Sequence, residues 1–160
     1  MRIALFLILA FFIGFLSCYF ILNLNDFKIE KPLNINGFAS NNPESPSDWI
    51  KREQITLYED KIVIKLKNAG LSDYAPTGSM RPILDENATG IKIKPESEEQ
   101  INIGDIVTFQ SGEDLIVHRI IKKGKDENGT YFITKGDNND FSDEKIRFSD
   151  IRYVTIGIIW

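Results

Sequence analysis

The apolar pattern divides the chain sharply. Ile3 to Leu22 reads IALFLILAFFIGFLSCYFIL and contains no charged residue. Twenty helical residues rise about 30 Å, the thickness of a bilayer's hydrocarbon core, so residues 1–22 are predicted to form a retained transmembrane anchor. A cleaved signal peptide would have a shorter apolar centre followed by a small-x-small site. Here the run passes into Asn23-Leu24-Asn25-Asp26 instead. The bulky approach Phe15-Leu16-Ser17 also disfavours a lipoprotein cysteine at Cys18. Arg2 and the α-amine favour a cytoplasmic N-terminus, but Lys28 and Lys31 lie just past the other end, so charge alone leaves the orientation open. Residues 23–46 are rich in Asn, Ser, Pro and Gly with no sustained periodicity, and read as a linker.

From Ser47 the pattern is that of short strands. Ile55-Thr56-Leu57-Tyr58 and Lys61 to Leu66 flank Glu59-Asp60, which predicts a hairpin with alternating faces. Further strands are expected at Gly90 to Lys94, Asp105 to Phe109, Leu115 to Ile121, Tyr131 to Thr134 and Val154 to Trp160. Turn material separates them at residues 111–114 and at Lys123 to Gly129. Ser47 or Asp48 could cap a short helical turn through Trp49-Ile50-Lys51-Arg52. With no long amphipathic helix between the strands, residues 47–160 are expected to form one mainly β domain, an antiparallel sandwich or partly closed barrel.

Composition narrows the chemistry. The formal net charge of −4 and the absence of a basic cluster give no reason to expect a nucleic-acid partner. A single cysteine, inside the apolar run, excludes an internal disulfide; with only one histidine beside it, a zinc site is not expected.

Three segments put polar groups where the strand pattern would not. Ala75-Pro76-Thr77-Gly78-Ser79-Met80-Arg81-Pro82 is a stiff loop that presents a hydroxyl, although most serines between Gly and Pro are surface turns. Ile116-Val117-His118-Arg119-Ile120-Ile121 places the only histidine in a β-branched strand, where a packing role is the ordinary one. Thr134-Lys135-Gly136-Asp137-Asn138-Asn139-Asp140-Phe141-Ser142-Asp143 is an acidic turn. It lacks the glycine and the bidentate glutamate of a calcium loop, where Ser142 and Phe148 stand. Together the segments hold a hydroxyl, an imidazole and carboxylates, which is the material for nucleophilic catalysis. Spacing alone does not bring them into contact.

The wording of these segments carries a resemblance. Gly78-Ser79-Met80-Arg81-Pro82 resembles the nucleophile box of type I signal peptidases. Gly104-Asp105-Ile106-Val107 and Thr134-Lys135-Gly136-Asp137-Asn138-Asn139 are similar to two further boxes, and the order from about Ala75 to the C-terminus is the family's. His118 stands before Arg119 where most bacterial members place a lysine, as in the archaeal and endoplasmic-reticulum branch. The resemblance implies the β fold shared by signal peptidases and LexA-type proteases. It implies Ser79 as nucleophile, His118 as general base and later acid, and two carboxylates that fall on Asp137 and Asp143. Asp143 is expected to partner the histidine and Asp137 to order the site, with Asp140 an extra carboxylate between them. The Ser79 N–H and the Thr77 hydroxyl are the implied oxyanion donors, Met80 is an implied substrate contact, and Asp105 is expected to be structural.

By the same resemblance the protein removes signal peptides from exported preproteins, accepts small residues at −1 and −3, and works on the outer face of the membrane without a cofactor. Its expected partners are those signal peptides and the lipid bilayer, with the translocation machinery a further candidate. Alternatives within the same fold are a protease dedicated to one substrate and an inactive, membrane-tethered binding module. A LexA-like self-cleaving regulator is disfavoured by the anchor and by histidine in the base position.

Overall fold

The computed structural model describes residues 43–160, so the anchor read at 1–22 and most of the linker lie outside the described residues. Among the described residues no helix is long and apolar enough to cross a membrane. Nine strands are present among the described residues: β1 (Ile55–Leu57), β2 (Ile62–Ile64), β3 (Ala69–Ser72), β4 (Thr89–Ile93), β5 (Ile106–Ser111), β6 (Asp114–Asp126), β7 (Gly129–Lys135), β8 (Lys145–Ile146) and β9 (Ile151–Ile159). β1 and β2 form the expected hairpin, with Ile55 opposite Ile64 and Leu57 opposite Ile62. The other seven make one antiparallel sheet in the order β3-β4-β9-β5-β6-β7-β8. The domain is therefore mainly β and antiparallel, as the strand pattern predicted. The sheet is open, with β3 and β8 at its edges, and does not close into a barrel.

Two local expectations need correction, and two strands were not expected. The turn expected over residues 49–52 is a 3-10 turn at Arg52–Gln54 instead, closed by a hydrogen bond from the Lys51 N–H to Gln54 Oε1. The polar run from Lys123 is not a turn. β6 continues to Asp126 before a two-residue reversal, because Lys123 donates to the carbonyls of Glu98 and Ile101 and Asp126 is held by Arg147. β3 and β8 escape the pattern: one contains Gly70 and no β-branched residue, and the other is two residues long.

Buried side chains lie on both faces of the sheet. Ile101, Val107, Phe109, Ile120, Phe132, Ile146, Ile151 and Val154 form the larger core, with Trp49 and Phe148 packed against it. Met80, Leu84, Ala88 and Ile106 form a smaller one beside Tyr74 and Val117. Neighbours such as Ile106 and Val107 fall in different cores because successive side chains of a strand point to opposite faces. In β6 the same alternation sends Ile116, His118 and Ile120 one way and Val117 and Arg119 the other.

Asp105 fastens the entry to β5. Its fully buried carboxylate accepts the N–H groups of Ser47 (2.7 Å) and Asn102 (2.9 Å) and the Trp49 indole N–H (3.1 Å). These donors offset the cost of burying the carboxylate and tie the chain just before β1 to the sheet. Replacing Asp105 with alanine leaves three part-buried donors without their partner. Denaturant unfolding should show a loss of about 3 kcal/mol or more.

Candidate active site

The loop from Tyr74 to Leu84 carries Ser79. Gly78 adopts φ +71°, in the left-handed region that a side chain resists, and turns the chain so that the serine hydroxyl faces β6. The loop at the end of β7 then grips this turn. The Asn138 N–H donates to the Ser79 carbonyl at 2.9 Å, and its side-chain amide donates to the Gly78 carbonyl at 3.1 Å. The two loops approach so closely that a Cβ on Gly136 would lie 2.7 Å from the Ser79 carbonyl oxygen. A glycine is required there for contact rather than for a turn.

His118 is 94% buried, its ring tilted against Phe109 with centroids 6.3 Å apart. Its Nε2 lies 3.2 Å from Ser79 Oγ and its Nδ1 lies 2.6 Å from Asp143 Oδ2. An ionised carboxylate can only accept, so Nδ1 carries the hydrogen and Nε2 offers its lone pair to the serine hydroxyl. That tautomer is assigned from the network. Asp143 is fixed in turn from β7. Its N–H donates to the Thr134 carbonyl at 2.8 Å, and its Oδ2 accepts the Thr134 hydroxyl at 2.7 Å. Asp140 is exposed and stands apart from the imidazole's hydrogen bonds.

Asp137 is placed elsewhere. It takes a bidentate pair from Arg119, Nε to Oδ1 at 2.8 Å and a terminal nitrogen to Oδ2 at 2.7 Å, with both side chains 4% exposed. Arg119 also donates to the carbonyls of Gly104 (2.8 Å) and Glu44 (3.1 Å). The pair therefore orders the loop that holds Ser79 without touching the imidazole. Thr77 Oγ1 accepts the Ser79 N–H at 3.5 Å and lies 3.3 Å from Ser79 Oγ, so the two expected oxyanion donors are hydrogen-bonded to each other.

Ser79 and His118 open onto a cleft of about 340 Å³ lined by Thr77, Met80, Leu84, Leu115, Val117 and Asn139, among others. Met80 is 4% exposed and belongs chiefly to the smaller core, so it offers the cleft only an edge. Tyr74 forms part of the wall. Burial pushes its phenol above the ordinary value, against the lowering effect of its hydrogen bond with Thr155, and it stays uncharged. Among the described residues no cluster of His, Cys, Asp and Glu could hold a metal ion.

Sequence reasoning did not single out Arg119, Asn138 or Thr134. All three lie in or beside the boxes, but their roles are hydrogen bonds across loops, which spacing does not reveal.

Fold and site together define a β domain that presents a hydroxyl, an imidazole and a carboxylate in one hydrogen-bonded chain. This arrangement can activate an oxygen nucleophile. Over 56 residues the chain is 41% identical to the signal peptidase complex catalytic subunit sec11 of Schizosaccharomyces pombe, covering 34% of this chain and 30% of that protein. Over 49 residues it is 49% identical to the signal peptidase complex catalytic subunit SEC11C of Homo sapiens and to that of Mus musculus, covering 29% of this chain and 26% of theirs. The chain thus matches less than a third of the length of these curated relatives. No protein-family model and no solved structure matches it. The resemblance to signal peptidases of the endoplasmic-reticulum branch is therefore shared with curated catalytic subunits over that part of the chain.

The two aspartates should separate in stability measurements. Asp137→Ala strands a buried guanidinium and should cost about 3–5 kcal/mol. Asp143→Asn keeps an acceptor for Thr134 and should cost under about 1 kcal/mol. Thermal or denaturant unfolding of both variants checks the ranking, and the opposite order would overturn this assignment.

Proposed function

We propose that the protein is a membrane-bound serine endopeptidase that removes signal peptides from exported preproteins. The observation that carries the reading is the chain Ser79 Oγ, His118 Nε2, His118 Nδ1, Asp143 Oδ2, with distances of 3.2 and 2.6 Å, at the edge of an open apolar cleft. The similarity to signal peptidase catalytic subunits supplies the substrate class.

In this reading Ser79 Oγ attacks the scissile carbonyl carbon as His118 Nε2 takes its proton. Asp143 holds the Nδ1 hydrogen and stabilises the imidazolium that forms. The Ser79 N–H and the Thr77 hydroxyl turn from each other to the developing oxyanion. His118 then gives the proton to the leaving amine as the C–N bond breaks, and an acyl-enzyme remains. A water, deprotonated by the same nitrogen, attacks the ester carbon, and the imidazolium returns that proton to Ser79 Oγ as the ester C–O bond breaks. Asp137 supports the geometry through Arg119. Met80 and its apolar neighbours favour short, uncharged side chains beside the scissile bond. The segment 1–22 anchors the protein, with the domain on the extracytoplasmic side, where it meets signal peptides still held in the bilayer beside the translocation machinery.

Incubating the purified full-length protein in detergent with a model preprotein tests this reading, with the new N-terminus read by mass spectrometry. Ser79→Ala and His118→Ala should each remove at least about 1,000-fold of the turnover while the protein stays folded. Near-normal cleavage by either variant would refute the mechanism. Thr77→Val keeps the shape of the loop and removes a hydroxyl. It should lower kcat about 100- to 1,000-fold if Thr77 serves the oxyanion, and leave it unchanged if it does not.

A further inference from the structure

We infer that Thr134 is the positioning residue of this site, acting through Asp143 on the tautomer and orientation of His118. The inference rests on the reading of Ser79, His118 and Asp143 as the reacting chain, and adds a fourth member to it.

Along β7 the inward positions are Thr130, Phe132 and Thr134, each buried, and Phe132 is part of the main core. Thr134 is fully buried, and at such a position valine would pack as well. A hydroxyl there carries a desolvation cost unless it is bonded. Its hydrogen goes to Asp143 Oδ2 at 2.7 Å, the same oxygen that accepts His118 Nδ1 at 2.6 Å. Because the carboxylate can only accept, the direction of both bonds is fixed, and both hold that one oxygen.

The residue's carbonyl makes a second link by accepting the Asp143 N–H at 2.8 Å. Thr134 thus fixes Asp143 by main chain and side chain at once. Among the described residues, its hydroxyl and the imidazole are the side chains that donate to this carboxylate. The remainder of Asp143 is partly open, with a side-chain exposure of 24%. Without the hydroxyl, only the Nδ1–H bond holds the carboxylate against turning toward water. The imidazole could then rotate, or adopt the other tautomer, in which Nε2–H faces Ser79 and cannot take its proton.

A purely structural Thr134 would affect stability alone, so the test reads the histidine directly. The sequence holds one histidine, and a low-field Nδ1 proton resonance in the NMR spectrum of the full-length protein in detergent has one source. The wild type should show this resonance, arising from the short bond to Asp143. Thr134→Val, which keeps the shape and drops the hydroxyl, should broaden it or move it upfield. With a model preprotein the same variant should lower kcat about 10- to 100-fold with KM within about twofold, the usual consequence of a misplaced catalytic group. Thr134→Ser should restore both.

An unchanged resonance and kcat in Thr134→Val would overturn the inference, and so would a Thr134→Ser variant as impaired as the valine one. A wild type without the low-field signal would overturn it too. If the valine variant does not fold, Thr134→Ala is judged by the same criteria. The NMR reading needs no substrate. A wild type that shows the resonance but cleaves no preprotein therefore refutes the proposed function and leaves the positioning role standing.

Discussion

The rest of the molecule depends on the buried pair between Arg119 and Asp137. A guanidinium and a carboxylate, both almost wholly out of water, are tolerable only when nearly every polar atom is satisfied. Here the fork is filled by Asp137 on one side and by the carbonyls of Gly104 and Glu44 on the other. One side chain thus joins β6, the loop after β7, the turn before β5 and the first described residues of the chain. Removing either charge would leave the other stranded, so the four segments hold together as a unit. The serine is reached at one remove, because the residue after Asp137 is Asn138, whose two hydrogen bonds seize the Gly78–Ser79 turn.

The catalytic chain proposed above follows the same logic on the opposite face of β6. His118 and Arg119 are consecutive, so the pleat turns them to opposite sides. Each is met by an aspartate from the loop that follows β7, His118 by Asp143 and Arg119 by Asp137. The six-residue spacing of the two carboxylates lets one loop reach around both sides of a single strand. Asp140, midway between them, is exposed.

Much of the fold was legible in the alternation of apolar and polar residues. The hairpin of β1 and β2 and the strands from β4 through β7 and β9 lie where that alternation put them. The misses have physical causes. β6 runs on through Lys122 to Asp126 because its polar side chains are satisfied by Glu98, Ile101 and Arg147, distant partners that a local pattern cannot contain. β3 is recruited by pairing with β4 rather than by its own composition. At the site, the residue types of Ser79 and His118 spoke only for a turn and a packed strand. The boxes suggested that they meet, and the geometry supplies the distances. Thr134 stayed hidden because threonine is an ordinary strand residue. Only the direction of its hydroxyl distinguishes it.

The alternation of β6 has a further consequence for quality control. A strand that settled one residue out of register would exchange its two faces. It would thrust a guanidinium at the serine and bury an imidazole against Asp137. By the proposed mechanism such a domain would be inert as well as unstable, since the slip that misplaces the arginine also misplaces the histidine. The proposed activity would thereby be withheld from misfolded copies without any separate inhibitor.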